Sequence, residues 1–117
     1  MEDKECIFCK IVKGEMPCEK VYEDDNFIGI LEIKPQANGH TLLIPKKHFR
    51  NLFDMPSTLG NELIGAMKEV SLKLIKDKKA EGVKIIINNE SAAGQIVFHL
   101  HSHIIPRNEG DGLIGIV

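Results

Sequence analysis

Three of the five histidines in this 117-residue chain stand at alternate positions of one short segment, and this spacing constrains the local fold strongly. They are His99, His101 and His103. Side chains of a β-strand alternate between its two faces, so a strand here places the three imidazoles in one row, with steps of roughly 6.6–6.8 Å. The opposite face of that strand is expected to contain the apolar residues Phe98, Leu100 and Ile104.

A row of imidazoles points to chemistry more than to packing. Imidazole is the side chain that can act as a nucleophile, a proton carrier or a metal ligand near neutral pH. Three imidazoles on one face suit phosphate chemistry or metal binding, and the alternative is a cluster of half-buried histidines without a function. We therefore expect the segment with the three histidines to be the centre of the chemistry.

The size and charge of the chain narrow the class of protein. Residues 1–117 are expected to form one domain with a single core. A formal net charge of −2 and an isoelectric point near 6.2 indicate no basic surface for nucleic acid. No apolar run approaches the ~18–20 residues of a membrane span, and the polar, acidic start of the chain is unlike a secretory signal. These features predict a soluble cytoplasmic protein that binds neither nucleic acid nor membranes.

Apolar spacing and turn residues predict an α+β fold. A short amphipathic helix is expected over residues 6–13, and a long helix is expected from a cap at Ser57 or Thr58 to about residue 79. Five apolar residues of the long helix form one stripe that faces a core: Leu59, Leu63, Met67, Val70 and Leu74. Strands are expected at residues 19–23, 27–33, 41–44, 83–87 and 97–105. The order of these elements predicts a mainly antiparallel sheet packed against helices.

The pair Cys6-x-x-Cys9 has the spacing of two ligands in a tetrahedral zinc site. Such a site needs two further ligands, and the five histidines are the candidates. A redox pair of the thioredoxin type is the alternative, although that motif normally begins a helix after a strand in a βαβ unit, which is not expected here. Three cysteines do not indicate a disulfide framework, and Cys18 is expected to be a free thiol.

The segment from Asn88 to Arg107 resembles the signature of the histidine triad (HIT) family, in which Gly-Gln precedes three histidines that alternate with apolar residues. Residues 6–17, 22–25 and 39–48 are similar to the Hint branch of that family. The resemblance implies the HIT fold, with a short N-terminal helix, one long helix and an antiparallel sheet that is shared across a homodimer. It also implies that each subunit binds a purine nucleotide and hydrolyses nucleoside phosphoramidates or other adenylated compounds to AMP.

The family's nucleophile is the middle histidine, and the resemblance assigns that role to His101. This residue is expected to attack the α-phosphorus and expel an amine, which forms a nucleotidyl-histidine that water cleaves. His103 is implied to donate to a non-bridging oxygen as charge develops there, and His40 to orient its neighbours or relay a proton. The alternative for His40 is a loop histidine that caps local backbone. His99 belongs either to the catalytic row or to a metal site.

The resemblance also implies the contacts with the nucleotide. Glu32 stands where the family usually has an aspartate, whose carboxylate accepts from both ribose hydroxyls. Gln95 and the backbone amides near Ile96 and Val97 are implied to hold the phosphate, with Asn88 near phosphate and ribose. The base is expected to be enclosed by Ile7, Phe8, Ile11, Ile30 and Ile33, which would otherwise be core residues. The implied nucleotide-binding set also contains Gly94, His101 and His103.

Zinc-binding members of the family, and the related galactose-1-phosphate uridylyltransferases, imply a closed structural zinc site. Its ligands are expected to be Cys6, Cys9, His48 and His99. The first histidine of the row then holds the metal, while the second performs the chemistry two residues later. The metal is also expected to stiffen the segment that contains the nucleophile.

Three residues differ from the usual family pattern. Ile96 stands where many Hint-branch members have a serine or threonine that contacts phosphate, and Glu32 lengthens the ribose contact by one methylene. Ser102 introduces a hydroxyl on the packing face, and this group needs a partner if it is buried. Because of Ile96 and Ser102, a nucleotide- and zinc-binding regulatory or interaction module with little turnover stays an alternative function. A diadenosine polyphosphate hydrolase is a further enzyme alternative.

Overall fold

The computed structural model describes residues 5–113, which contain two α-helices, five strands and three short 3₁₀ turns. The helices are α1 (Ile7–Val12) and α2 (Gly60–Asp77). The strands are β1 (Lys20–Glu23), β2 (Phe27–Leu31), β3 (Thr41–Pro45), β4 (Gly82–Ile86) and β5 (Ser102–Arg107). The 3₁₀ turns are Leu52–Asp54, Ser57–Leu59 and Ser91–Ala93. Neither α-helix in this range is long and apolar enough to cross a membrane.

All five strands belong to one antiparallel sheet with the order β1-β2-β3-β5-β4. The expected α+β architecture with an antiparallel sheet is therefore confirmed. Leu42 of β3 pairs with Ile30 of β2 on one side and with His103 of β5 on the other. Paired residues of an antiparallel ladder point to the same face, so these three side chains lie next to one another. This register brings a histidine of β5 into an apolar wall.

The two faces of the sheet pack against different helices. One face covers the apolar stripe of α2, and that core contains Phe27, Leu43, Ile104, Leu63, Ala66, Met67, Val70 and Leu74. The other face packs against the start of the chain, and that core contains Ile28, Ile30, Leu42, Ile44, Cys6, Phe8 and Cys9. The central strands β2 and β3 are buried on both faces, which explains why their sequences are almost continuously apolar. The functional side chains lie on the α1 face.

The strand that contains the histidines is shorter than the sequence predicts, and the prediction was wrong for residues 97–101. Strand β5 begins only at Ser102. Its pairing with β3 stops at Ser102 and its pairing with β4 stops at His103, so no strand flanks the preceding residues. Their backbone bonds elsewhere, since the Leu100 N–H donates to the Phe49 carbonyl over 2.7 Å. Of the three alternating histidines, only His103 lies in a strand.

The long helix also begins without the side-chain cap that the sequence predicts. Neither Ser57 nor Thr58 caps α2, because both belong to a 3₁₀ turn and the helix begins at Gly60. In this turn the N–H groups of Leu59 and Gly60 donate to the carbonyls of Pro56 and Ser57. Backbone carbonyls therefore satisfy N–H groups at the helix entry that a capping hydroxyl was expected to satisfy.

Candidate functional site

A cavity of about 400 Å³ opens on the α1 face of the sheet. Its lining consists of Ile7, Phe8, Ile11, Ile30, Leu31, Glu32, Ile33, Leu42, Asn88, Gly94, Ile96, Val97, His101 and His103. The structure thus brings together every residue of the implied nucleotide-binding set except Gln95. Leu31 and Leu42 were missed by the sequence analysis. Leu42 enters through the register of β3 beside β5, for which the sequence contains no direct signal.

His101 lines this cavity, and a backbone contact determines its tautomer. The Nδ1 atom lies 2.8 Å from the carbonyl oxygen of His99. A carbonyl oxygen only accepts, so Nδ1–H donates and Nε2 of the neutral ring keeps its lone pair. Burial lowers the pKa of His101 below its ordinary value, which favours this neutral form. The ring also packs edge-on against Phe8, with 5.2 Å between centroids.

His40 and His103 form a hydrogen-bonded pair beside His101. The Gln36 N–H donates to Nδ1 of His40 over 3.1 Å, so the neutral ring has its proton on Nε2. That Nε2–H donates to Nδ1 of His103 over 3.0 Å, which leaves the His103 proton on its own Nε2. Burial, together with the charges that His101 and His40 acquire on protonation, lowers the pKa of His103 to about 4. The pair therefore ends in one N–H donor next to the His101 ring.

A second cluster contains Cys6, Cys9, His48 and His99. Nδ1 of His99 lies 3.2 Å from Sγ of Cys6 and 3.5 Å from Sγ of Cys9, and Nδ1 of His48 lies 3.2 Å from Sγ of Cys9. All four ligand atoms lie within 4.8 Å of one another. Tetrahedral zinc, with bonds of about 2.3 Å to sulfur and about 2.0 Å to nitrogen, needs ligand atoms roughly 3.3–3.8 Å apart. These residues fit a four-coordinate zinc ion.

His99 has the tautomer opposite to that of His101. Its Nε2–H donates to the Pro45 carbonyl over 2.8 Å, which leaves the Nδ1 lone pair to face the sulfur atoms. An outer-shell carbonyl of this kind typically orients a metal-binding histidine. Burial raises the pKa of the Cys6 thiol, and a bound cation would reverse this by stabilising the thiolate. The sulfur–imidazole contacts favour the metal interpretation over a redox pair, and Cys18 lies apart as an exposed free thiol.

Glu32, His40 and His103 also have ligand atoms within 4.8 Å of one another. This group does not suit a cation at neutral pH. The Gln36 N–H occupies Nδ1 of His40, so the proton of the neutral ring is on Nε2, the atom that would have to bind the metal. The Glu32 backbone N–H donates to the His40 carbonyl over 3.0 Å, and this bond holds the main chain of Glu32, which lines the cavity.

Residues 93–97, in the loop between β4 and β5, have two sets of backbone N–H groups. Those of residues 93–95 donate within the loop, to the carbonyls of Glu90 and Ser91, over 3.0–3.1 Å. Those of Ile96 and Val97 have no hydrogen-bond acceptor within residues 5–113, and both residues line the cavity. The loop therefore has donors available for an anion.

Gln95 is buried behind the cavity and does not line it. Its Nε2 donates to the carbonyls of Arg50 and Val97 over 2.7 and 3.1 Å. Its Oε1 accepts from the Glu90 N–H at 2.7 Å and from Nδ2 of Asn51 at 3.2 Å. These bonds occupy the amide that the sequence analysis assigned to phosphate. Arg50 and Asn51 had no signal in the sequence, because their partners lie about forty residues away.

The comparisons with known proteins bear on this architecture. The family model described as the HIT domain matches residues 13–110. The chain belongs to the HIT family. Over 109 residues this HIT protein is 41% identical to adenylylsulfatase HINT3 of Arabidopsis thaliana, a match that covers 93% of the chain and 55% of the plant protein. Over 108 residues it is 47% identical to an uncharacterized HIT-like protein of Methanocaldococcus jannaschii, with coverages of 92% and 82%.

Solved structures resemble this HIT protein over nearly its full length. A HIT-like protein from Bartonella henselae, described as involved in cell-cycle regulation, has a TM-score of 0.91 and 44% identity, and covers 97% of this chain and 87% of its own. A zinc-bound histidine triad protein from Mycobacterium smegmatis has a TM-score of 0.89 and 42% identity, with coverages of 93% and 79%. The HIT fold that the motifs implied is confirmed. The chain spans about half the length of the plant relative.

The three departures from the family pattern have different surroundings in this HIT protein. Ile96 is 86% exposed at the cavity and supplies no hydroxyl to the loop. Glu32 keeps a carboxylate at the cavity edge. Ser102 is fully buried next to Leu43 on the α2 face, and its hydroxyl has no hydrogen-bond partner within the described residues. The partner that a buried Ser102 requires is thus missing in this part of the chain.

Proposed function

We propose that this protein binds purine nucleotides and hydrolyses nucleoside phosphoramidates or other adenylated compounds to AMP. The observation that supports this most is the tautomer of His101, whose Nδ1–H donates to the His99 carbonyl and leaves the Nε2 lone pair unprotonated. A neutral imidazole nitrogen of this kind is the nucleophile that nucleotidyl transfer requires. The name of the plant relative, adenylylsulfatase, supports an adenylyl compound as the substrate class.

The reaction proceeds in two displacements. Nε2 of His101 forms a bond to the α-phosphorus while the P–N bond of the phosphoramidate breaks, and the departing amine keeps the electron pair and takes up a proton from water. The product of this step is a nucleotidyl-histidine. Water then attacks the phosphorus, the bond to His101 breaks, and AMP leaves. N-phosphorylated imidazole is a good leaving group, so two lower barriers replace one high barrier.

His103 stabilises the charge that develops on phosphate. Its Nε2–H is the end of the chain of hydrogen bonds from Gln36 through His40, and it donates to a non-bridging oxygen. His40 acts through His103, because the Gln36 N–H determines the His40 tautomer and thereby the proton position on His103. This assigns His40 an orienting role.

The nucleotide contacts come from different elements of the cavity. The free N–H groups of Ile96 and Val97 receive the phosphate, and Asn88, which also lines the cavity, lies near phosphate and ribose. The Glu32 carboxylate accepts from the two ribose hydroxyls. The base enters between the apolar side chains of Ile7, Phe8, Ile11, Ile30 and Ile33.

Cys6, Cys9, His48 and His99 would hold a structural zinc ion. The ligand distances and the zinc-bound relative support this assignment. These four residues come from α1, the segment after β3 and the segment before His101, so a zinc ion held by them would join these parts of the chain and would supply stability to the fold. A reducing cytoplasm, which we infer as the location, keeps such thiols available to metal.

A homodimer that continues the sheet is also part of the proposal. Strand β4 is at an edge of the sheet, and its Ile85 is 42% exposed. Ile64, Leu72 and Ile75 of α2 are also exposed. A second copy of the chain would cover these apolar side chains and pair the edge of β4.

A nucleotide- and zinc-binding module with little turnover is the second candidate. Ile96 supports it, since an isoleucine deprives the phosphate loop of a side-chain donor. A diadenosine polyphosphate hydrolase would use the same nucleophile with a phosphate leaving group in place of an amine.

Mass spectrometry of the protein mixed with adenosine phosphoramidate separates these functions. We expect a transient adenylyl adduct on His101 together with release of AMP, and neither in His101→Gly. AMP binding without adduct or turnover would support the module. Faster consumption of diadenosine polyphosphate than of phosphoramidate would support the other hydrolase.

A further inference from the structure

The phosphate loop, which we define as residues 90–97, is held from behind by the amide of Gln95. This side chain is only 4% exposed. Two of its hydrogen bonds return to the loop itself, at the Glu90 N–H and the Val97 carbonyl. The other two cross to the Arg50 carbonyl and the Asn51 side chain. Because Nε2 faces two carbonyls and Oε1 faces N–H donors, the amide has one possible orientation.

The first residue of the loop has an unusual backbone conformation. Glu90 has φ +79° and ψ 159°, a region that is almost restricted to glycine. Such a conformation persists where the surroundings determine it, and it occurs preferentially at functional sites. Here the carboxylate accepts from Nε and Nη2 of Arg50 at 3.0 and 2.8 Å, and from Nδ2 of Asn51 at 2.6 Å. A bidentate ion pair and a buried amide therefore hold the strained residue.

Arg50 contacts both ends of the loop. Its guanidinium binds the carboxylate of Glu90, the first residue of the loop, and lies 4.3 Å from the ring centroid of Phe98, the residue directly after the loop. Asn51 is almost fully buried, and its Oδ1 accepts from the Phe53 N–H over 3.0 Å. The segment after β3 thus contacts the first residue of the loop, the residue after the loop and, through Gln95, the interior of the loop.

The bonds of Gln95 hold the two peptides that flank the free N–H groups. A trans peptide is planar, so the bond from Gln95 to the Val97 carbonyl orients the peptide between Val97 and Phe98. The Gln95 N–H donates to the Glu90 carbonyl over 3.1 Å, which orients the peptide between Gly94 and Gln95. The two peptides that contain the free N–H groups of Ile96 and Val97 lie between these two, so their directions are restricted from both sides.

We propose that Gln95, clamped by Arg50, Asn51 and Glu90, is a positioning residue that aims the loop's backbone N–H groups at the phosphate and so sets the preference of the site for nucleotide over nucleoside. This proposal rests on the proposed function. In this proposal the Gln95 amide acts through its hydrogen bonds to the loop and does not contact the substrate. Ribose and base contacts come from Glu32 and α1, which the bonds of Gln95 do not involve. Loss of these bonds should therefore weaken phosphate binding selectively.

The test compares the affinities for AMP and adenosine, measured by calorimetry, in matched variants. Gln95→Met keeps the length of the side chain and removes its hydrogen bonds, and we expect AMP affinity to fall about 10-fold while adenosine affinity stays within about twofold. kcat for adenosine phosphoramidate is expected to fall as well, since the same N–H groups stabilise the transition state. Glu90→Gln keeps an acceptor for Asn51, and its AMP affinity should fall less than that of Gln95→Met. Asp111→Asn, which weakens a bidentate arginine pair far from the cavity, is the control and should change neither affinity.

The outcomes separate this proposal from the proposed function. Wild-type protein that binds AMP no better than adenosine would refute the phosphate site and the clamp with it. If the wild-type protein prefers AMP and Gln95→Met keeps that preference, only the positioning role is refuted. The same holds if Gln95→Met loses affinity equally for AMP and adenosine. If Gln95→Met does not fold, Arg50→Ala replaces it, because the Arg50 side chain is half exposed and its carbonyl still binds Gln95. A fall in the AMP-to-adenosine affinity ratio of about threefold is then expected, and an unchanged ratio overturns the proposal.

Discussion

His99 and His101 are two residues apart and both buried, yet their ring nitrogens have opposite arrangements. His99 donates from Nε2 to the Pro45 carbonyl and turns Nδ1 to the cysteine sulfurs. His101 donates from Nδ1 to the His99 carbonyl and leaves Nε2 unprotonated at the cavity. The backbone carbonyl that accepts from one ring nitrogen determines which nitrogen keeps its lone pair. The position of that lone pair then determines whether the imidazole can bind a metal ion or attack a phosphorus atom.

The groups around the two histidines also differ, because one cluster is closed and the other is open to the cavity. The cluster around His99 is closed, since its four ligand atoms all lie within 4.8 Å of one another. The cluster around His101 is open, since a chain of bonds through His40 and His103 ends in an N–H donor beside the cavity. A closed set stabilises the fold, and an open set is left for a substrate. Each of the following predictions removes or isolates one side of this comparison.

The largest effect is expected from His101→Gly. Loss of the nucleophile should lower kcat for adenosine phosphoramidate by about 10³-fold or more, because the covalent path no longer exists. AMP affinity should stay within about threefold and zinc content should not change, since ribose, base and metal contacts remain. Kinetics, calorimetry and elemental analysis measure these three quantities. Near-normal kcat would show that His101 is not the nucleophile.

The opposite side of the comparison is removed by Cys9→Ser. We expect about one zinc ion per chain, and this variant should not bind it. The free energy of unfolding should fall by about 3 kcal/mol or more, which lowers Tm by roughly 10 °C or more. Chelation of the wild-type protein should have the same effect. Cys18→Ser is the matched control, because that thiol is exposed and outside the cluster, and its Tm should not change. Absence of metal from freshly purified wild-type protein would contradict the assignment.

Glu32→Ala sharpens the catalytic side by testing the ribose contact alone. AMP affinity should fall about 10-fold, which corresponds to the loss of charge-assisted hydrogen bonds worth ~1.4 kcal/mol. Affinity for 2′,3′-dideoxy-AMP should stay within about twofold, since that ligand offers no hydroxyl to the carboxylate. Equal losses for both ligands would remove Glu32 from the ribose site.

The smallest effect is expected on the other face of β5, which serves neither cluster. Ser102→Ala removes a buried hydroxyl without a partner in the described residues and should raise stability by about 1 kcal/mol. Thr41→Val, on the neighbouring strand, removes a hydroxyl that donates to the Gly39 carbonyl over 2.8 Å and should lower stability by about 1 kcal/mol. Urea denaturation measures both. Changes of the same sign would show that hydrogen bonding does not decide the outcome at these sites.

Local patterns in the sequence determined much of the fold and of the candidate site. The apolar stripe of α2 was predictable because a helix repeats every 3.6 residues, and four of its five members are buried in the core. The spacing of the Cys6-x-x-Cys9 pair predicted two zinc ligands, with a redox pair as the alternative. The motif around His101 identified the family, and with it nearly all residues that line the cavity. Each of these features depends on residues close together in the chain.

Only the tertiary structure decided which nitrogen each histidine offers and which groups hold the phosphate loop. The contact between Cys6 and His99 spans 93 residues, that between His40 and His103 spans 63, and that between Gln95 and Arg50 spans 45. Such contacts have no periodicity in the sequence, because they depend on how strands and loops pack after the chain has folded. The tautomers of His99 and His101 follow from carbonyl groups, and every residue of any sequence has one. Which carbonyl accepts from each imidazole depends only on the positions of these groups in the folded protein.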